Sequence, residues 1–281
     1  MSQWQREMKG VVGFLVARPL IAIALAAIVV AVLYFGFTHR QTTPVTHRTE
    51  RVGLTDQQQM QLGSEQYAKT LRQSRNRIIS SGAAYEEVQR VAKRIETVAA
   101  RDKPSFVWKV SLLRKKEANA YCLPGGKIVV YTGILPVTKT DAGLATVLGH
   151  EVAHATAEHA AERIEREHLT RVAAAIIAGG VAFTPSQYVH VLAALGVGGS
   201  VASLPFTRGQ ESEADHIGLV YMARAGYQPH EALAFWKRML RASKGKEPPE
   251  IASDHPSDQH RIEQIQKWLP EADREYKSPQ G

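Results

Sequence analysis

The apolar positions of this chain begin with an uninterrupted run. From Pro19 to Phe37 no charged residue appears. As a helix, that run would span roughly 28 Å, close to the hydrocarbon thickness of a bilayer. Tyr34, Phe35 and Phe37 cluster at its end, where aromatic rings favour a membrane interface. The pattern predicts a tail over 1–18 and an uncleaved transmembrane anchor over 19–38. The run is longer than the apolar core of a signal peptide, and no clear Ala-x-Ala site follows it.

Beyond the anchor the pattern changes. Residues 39–56 are rich in Thr, Arg, His and Gln and read as a linker. From about Asp56 to Ala100, apolar residues recur at helical spacing. Ser105 to Val110 and Tyr121 to Tyr131 are strand-like, and Pro124-Gly125-Gly126 marks a hairpin turn between strands. Helical periodicity returns near Asp141, a plausible N-cap, with Leu144, Val147, Leu148 and Val152 as its apolar face; it predicts a helix to about Leu169. Two further apolar stretches, Val172 to Phe183 and Val189 to Leu204, are each short for a span and read as a buried helical hairpin or a lip dipping into the bilayer. The expected class is α+β and predominantly helical, with a small β-sheet and one domain over 57–281.

Charge narrows the function little. The chain of 281 residues carries a formal charge of +8. Its basic residues are scattered, and the one tight run, Arg114-Lys115-Lys116, lacks aromatic interleaving, so nucleic acid is not an expected partner. Membrane lipid is. Basic residues flank both ends of the apolar run, so the tally leaves orientation even; a short tail held inside would place the catalytic domain outside the cytoplasm. The lone Cys122 permits no internal disulfide.

Chemistry concentrates at His150-Glu151-Val152-Ala153-His154. Positions i and i+4 share a helix face, so both imidazoles can reach one metal ion. Glu151 lies about 100° around the helix, which suits a general base better than a ligand. A catalytic zinc needs a third protein ligand and an open fourth position. His159 sits about 140° off the face of His154. Metzincins place a third His six residues after the second, with Gly at the third of those positions. Here those positions hold Ala160 and Ala157, which rejects that subclass. The segment from Thr207 to Gly218 is the better donor. Glu211 and Asp215 share a face, and Ala214 and Gly218 allow a neighbouring helix to come close. Glu211 is read as third ligand, Asp215 as acceptor of a proton from a ligand His, and Glu213, about 200° from Glu211, as facing away.

His-Glu-x-x-His followed by Glu-x-x-x-Asp resembles the gluzincin zinc metallopeptidases of family M48, which include the Ste24-type CAAX prenyl proteases, HtpX, BepA, LoiP and OMA1. Asn119 to Gly126 with Val129 to Gly133, then Gly226-Tyr227-Gln228-Pro229 and His255-Pro256 with Arg261, resemble further elements of that family. The single anchor resembles the BepA, LoiP and OMA1 branch. The resemblance implies a zincin-like fold and one catalytic Zn2+ on His150, His154 and Glu211. It also implies a zinc metalloendopeptidase acting on unfolded or damaged membrane and envelope proteins, in a bacterial inner membrane with its catalytic domain on the periplasmic side. Arg261 is the candidate oxyanion stabiliser and His255 a candidate resting-state regulator of the zinc. Asn119, Ala120, Tyr121 and Cys122 would offer a strand edge to an extended substrate. The rival expectation is a membrane-anchored, chaperone-like binding protein with a latent zinc site.

Overall fold

A computed structural model describes residues 38–167, 206–243 and 259–276, with Ile28 and Gly36 besides. Among the described residues no helix is long and apolar enough to cross a membrane. The expected anchor lies outside them apart from Ile28, Gly36 and Thr38, as do the apolar stretches between 172 and 204 and His255.

The architecture is mainly helical around one small sheet. Helix α1 (Asp56–Gln73) opens with a capping box between Thr55 and Gln58. Helix α2 (Ala83–Asp102) buries Val88, Val91, Ala92, Ile95, Val98 and Ala99, the stripe that helical periodicity requires. Three longer strands then follow: β4 (Lys109–Leu113), β5 (Ala120–Leu123) and β6 (Lys127–Tyr131); a two-residue β3 (Ile78–Ile79) precedes them. Their spatial order is β3-β4-β6-β5, with β4 and β6 parallel and the other pairs antiparallel. Gly125 and Gly126, with φ of 74° and 86°, make the turn that joins β5 to β6. The first long strand starts at Lys109 rather than Ser105, because the loop around Pro104 turns before the ladder begins.

Helix α3 (Asp141–Thr156) carries the His-Glu-x-x-His segment. Thr140, not Asp141, is its N-cap: the Thr140 hydroxyl accepts from the Gly143 N–H, and Asp141 becomes the first helical residue. Every residue from Gly143 to Thr156 is buried, so α3 is enclosed on all sides rather than on one apolar face. It lies against α2, edge strand β5, and helices α4 (Arg208–Arg224) and α5 (His230–Ser243). Helix α6 (Gln259–Glu275) closes the far side of α4. The core joins Ile95, Leu112, Ile128, Leu148, Ile217, Phe235, Trp236 and Ile265 in one cluster.

Two glycines set the α3–α4 crossing. A Cβ on Gly149 would stand 2.7 Å from the Gly218 carbonyl oxygen, and one on Gly218 would stand 2.7 Å from the His150 nitrogen. Only hydrogen fits at either position, so the helix backbones touch.

Helix α3 stops earlier than expected. Glu158 has φ 51°, a left-handed conformation that disfavours a side chain, and the chain is helical again over 159–167. Lys103 pairs with the buried Glu158 carboxylate and holds the break.

The segment 39–56 is a correction to the expected linker. It forms a β-hairpin, β1 (His39–Thr42) against β2 (Thr49–Val52). Arg48 docks it by contacting Glu213 at 2.7 Å and Glu162 at 3.3 Å, and within the hairpin it also pairs with Glu50 at 2.5 Å. Val52 and Leu54 pack on Ala161 and Ile164. Polar composition hid this, because the partners lie more than a hundred residues away.

Two outcomes follow from this packing. Gly218→Ala should destabilise the protein by about 1–3 kcal/mol, since backbone rather than a flexible side chain must yield; an unchanged thermal midpoint would contradict the close crossing. Around Arg48 three carboxylates share one guanidinium. Burial, opposed by Arg48, pushes the Glu50 carboxyl up from 4.5 to about 7. A raised folded pKa favours the protonated form, so its contribution is complete below about pH 4.5 and is lost as pH rises through about 7. Glu50→Gln should therefore stabilise the protein at pH 8, by up to about 3 kcal/mol, and far less at pH 5. Thermal melts showing a loss at pH 8 would contradict it.

Candidate metal centre

Helix α4 begins at Thr207, whose hydroxyl accepts from the Gln210 N–H while the Gln210 side chain accepts from the Thr207 N–H. That capping box fixes the first turn, which carries Glu211. The glycine crossing then sets this turn against the end of α3. His150 and His154 meet Glu211 across the interface.

The candidate donor atoms of His150, His154 and Glu211 form a triangle, all within 4.8 Å of one another. The two Nε2 atoms are 3.1 Å apart. His150 Nε2 lies 3.4 Å from one Glu211 oxygen, and His154 Nε2 lies 3.5 Å from the other. Zinc bonds of 2.0–2.1 Å in a tetrahedron place neighbouring ligands about 3.3–3.4 Å apart. Separations of this size bring the three side chains within reach of one such ion, and their chemistry, two imidazoles and a carboxylate, suits it. His150, His154 and Glu211 also form the group of possible ligands found among the described residues.

Around this triangle each imidazole is oriented from behind. His150 Nδ1 sits 2.9 Å from Asp215 Oδ1. Arg261 donates to the same oxygen at 2.6 Å, faces Glu211 at 3.4 Å and stacks its guanidinium 3.4 Å over the Trp236 ring. Arg261 is buried, so its terminal nitrogens serve two carboxylates of the site. His154 is sandwiched differently: Phe206 stacks on it at 3.8 Å, and its Nδ1 lies 2.9 Å from His159 Nδ1. His159 Nε2 is in turn 3.1 Å from Glu213.

Charge is concentrated here. Burial and Arg261 disfavour an imidazolium at His150, yet hydrogen bonds to Asp215 and Glu211 prevail and raise its pKa to about 9. His154 lacks Asp215, and burial drives its pKa well below the ordinary value.

Glu151 is 2 % exposed and lies on α3 one residue beyond His150, on the side of β5. Its charge, after burial, helps push the part-buried Cys122 thiol well above the usual range, so that thiol stays protonated. Ala120, Tyr121 and Cys122 lie along β5, with Asn119 directly before it, and among the described residues β5 has no strand on its other side. Tyr131 N–H donates to the Asn119 carbonyl. By antiparallel alternation, the main-chain groups of Ala120 and Cys122 then point away from β6.

The structure thus brings together His150, Glu151, His154, Glu211, Asp215 and Arg261. His159 and Glu213 join them although ideal helical rotation set both apart. The turn at Glu158 swings His159 back toward His154, and no glycine or proline announces that turn. Glu213 does face away from Glu211, but toward His159. Trp236 and Phe206 carried no signal beyond their apolar character.

Comparison with known proteins agrees with this geometry. The model of Peptidase family M48 matches residues 83–269. The mitochondrial metalloendopeptidase OMA1 of Schizosaccharomyces pombe is 35 % identical over 243 residues, covering 85 % of this chain and 69 % of that protein. OMA1 of Saccharomyces cerevisiae is 31 % identical over 258 residues, covering 86 % and 72 %. The beta-barrel assembly-enhancing protease of Escherichia coli is 28 % identical over 210 residues, covering 73 % of this chain and 42 % of its own length. The match spans both helices that carry the triangle, and this chain belongs to peptidase family M48.

Proposed function

We infer that this chain is a zinc-dependent metalloendopeptidase that hydrolyses peptide bonds in unfolded or damaged membrane proteins. The observation that carries this reading is the His150–His154–Glu211 triangle with a buried carboxylate, Glu151, beside it. A purely structural zinc site would close its fourth position with another ligand and would need no base.

Zinc held by the triangle supplies Lewis-acid chemistry, activating water at neutral pH and polarising a carbonyl. Glu151 takes the proton from the attacking water and delivers it to the departing amine. Burial of Glu151 keeps bulk solvent from competing for that proton. Asp215 accepts the Nδ1 proton of His150, which leaves Nε2 as the ligand nitrogen. Arg261 neutralises Asp215 and Glu211 and fixes both, a positioning role; support for an oxyanion role would require one of its N–H groups to face the scissile bond.

Substrate joins the sheet at β5. An extended segment pairs with the Cys122 N–H and the Ala120 and Cys122 carbonyls, the Ala120 N–H being held by Asn119 Oδ1, and this reads backbone more than side chains. That mode suits unfolded segments and broad specificity. The similarity to OMA1 and to the beta-barrel assembly-enhancing protease supports a membrane quality-control role, and the uncharged apolar run at 19–37 is the feature that favours a place in the single-anchor branch. The apolar run at 19–37 supports a single-pass anchor, with residues 57–281 as the peptidase domain and the extracytoplasmic side of a bacterial inner membrane as its location.

Glu151→Gln should keep zinc and lose about 10²–10⁴-fold in cleavage of an unfolded protein, as removal of a general base does. Chelation of the wild type should abolish the same activity, and restored zinc should return it. Cleavage by Glu151→Gln at the wild-type rate would contradict the base assignment. Asp215→Asn should weaken zinc binding by about 10–100-fold in a chelator competition; unchanged affinity would remove Asp215 from the site.

A further inference from the structure

We propose that the β1–β2 hairpin is a working part of the metal centre: through Glu213 and His159 it sets the orientation and tautomer of His154, so that metal affinity depends on hairpin docking. The proposal rests on the reading of His150, His154 and Glu211 as zinc ligands, and it adds His159, Glu213 and residues 43–48 as positioning groups.

Proton placement along the chain of contacts is determined by one end. A ligand imidazole must present a lone pair at Nε2, so His154 carries its proton on Nδ1. The neighbouring atom, His159 Nδ1 at 2.9 Å, must then accept. His159 is neutral and protonated on Nε2, and it donates to Glu213 Oε2 at 3.1 Å. Full burial of His159, at 0 % exposure, leaves no water to replace either partner. Reversing any one tautomer would set two N–H groups, or two lone pairs, face to face.

Glu213 is held by the hairpin rather than by its own helix. Its Oε1 accepts from the Thr43 hydroxyl at 2.9 Å and from the Thr46 hydroxyl at 2.5 Å. Its Oε2 accepts from Arg48 Nε at 2.7 Å, beside His159. All three donors come from the six-residue turn segment 43–48. That turn is itself strained: Val45 and His47 have φ of 62° and 53°, and for a β-branched residue the left-handed region is a true outlier. Strain of this kind persists where surrounding contacts over-determine the backbone. The contacts here converge on one carboxylate.

The chain order gives this arrangement a consequence. The hairpin begins directly after the apolar run 19–37. Force or displacement applied to that segment would reach His154 through three hydrogen-bonded steps. By contrast, His150 is oriented by Asp215 and Arg261 from α4 and α6, independent of the hairpin. One ligand is thus fixed within the helical core and the other from the membrane-proximal segment.

The test measures zinc affinity of the full chain by competition with a fluorescent chelator, with thermal midpoints of the metal-free proteins recorded alongside. The variants are Glu213→Gln, Arg48→Met and Thr46→Val, together with the double variant Arg48→Met/Glu213→Gln and the control Glu211→Ala. Glu213→Gln should weaken zinc binding about 10-fold, within the range of outer partners of ligand histidines. Arg48→Met and Thr46→Val, which touch no ligand, should each weaken it several-fold. The double variant should be no weaker than Glu213→Gln, because both act through one carboxylate. The Co2+-substituted protein should show a shifted visible band in the same variants. Wild-type affinity in folded Glu213→Gln, or in Thr46→Val should Glu213→Gln fail to fold, would overturn the proposal. So would additive losses in the double variant, or lowered midpoints without any change in zinc affinity. Failure of the wild type to bind zinc, or equal binding by Glu211→Ala, would instead overturn the ligand assignment beneath it.

Discussion

The backbone contact between Gly149 and Gly218 is the constraint on which the rest depends. Ligands from two separate helices must bring donor atoms within about 3.4 Å of each other to share one zinc ion. Helices packed through ordinary side chains keep their axes 8–10 Å apart. At this crossing, near the middle of each helix, neither has a side chain in the way, and His150 and His154 come to lie against Glu211 and Asp215. The enclosure of α3 by the sheet, α2, α4 and α5 then prevents it from rotating.

Such close approach buries charge, and the site handles that burial by sharing. Glu211, Asp215, Arg261 and His150 form one cluster in which each carboxylate faces a cation or a donor. Glu213, Arg48, Glu50 and Glu162 form another around the hairpin. A buried ion isolated from partners would be costly, whereas paired and hydrogen-bonded groups hold a unique geometry. The two clusters meet at the metal triangle, one behind each histidine. The polar interior therefore coincides with the place where chemistry needs fixed orientation.

Much of the centre was readable from spacing, because helical rotation is a strong rule where a helix is regular. His150 and His154 at i and i+4, and Glu211 and Asp215 likewise, obey it over segments free of breaks. Gly218 was visible as a close-approach residue for the same reason. The rule stops applying at the left-handed Glu158, supported by Lys103 from another element, and this turn brings His159 against His154. The segment 39–52 reads as a linker because the ion pairs that dock its hairpin, with Glu162 and Glu213, lie outside any local window of sequence. Thr140 replaced Asp141 as cap by one residue, a choice between two good capping side chains that spacing alone does not decide.

X-ray absorption at the zinc edge of the purified full chain tests the central claim most directly. One zinc per chain is expected, bound by two imidazole nitrogens and by oxygen at about 2.0–2.2 Å, with no sulfur. In Glu211→Ala the protein carboxylate should be lost from that shell and zinc occupancy should fall. A sulfur scatterer near 2.3 Å, which would implicate Cys122, or a chain that takes up no zinc, would contradict it.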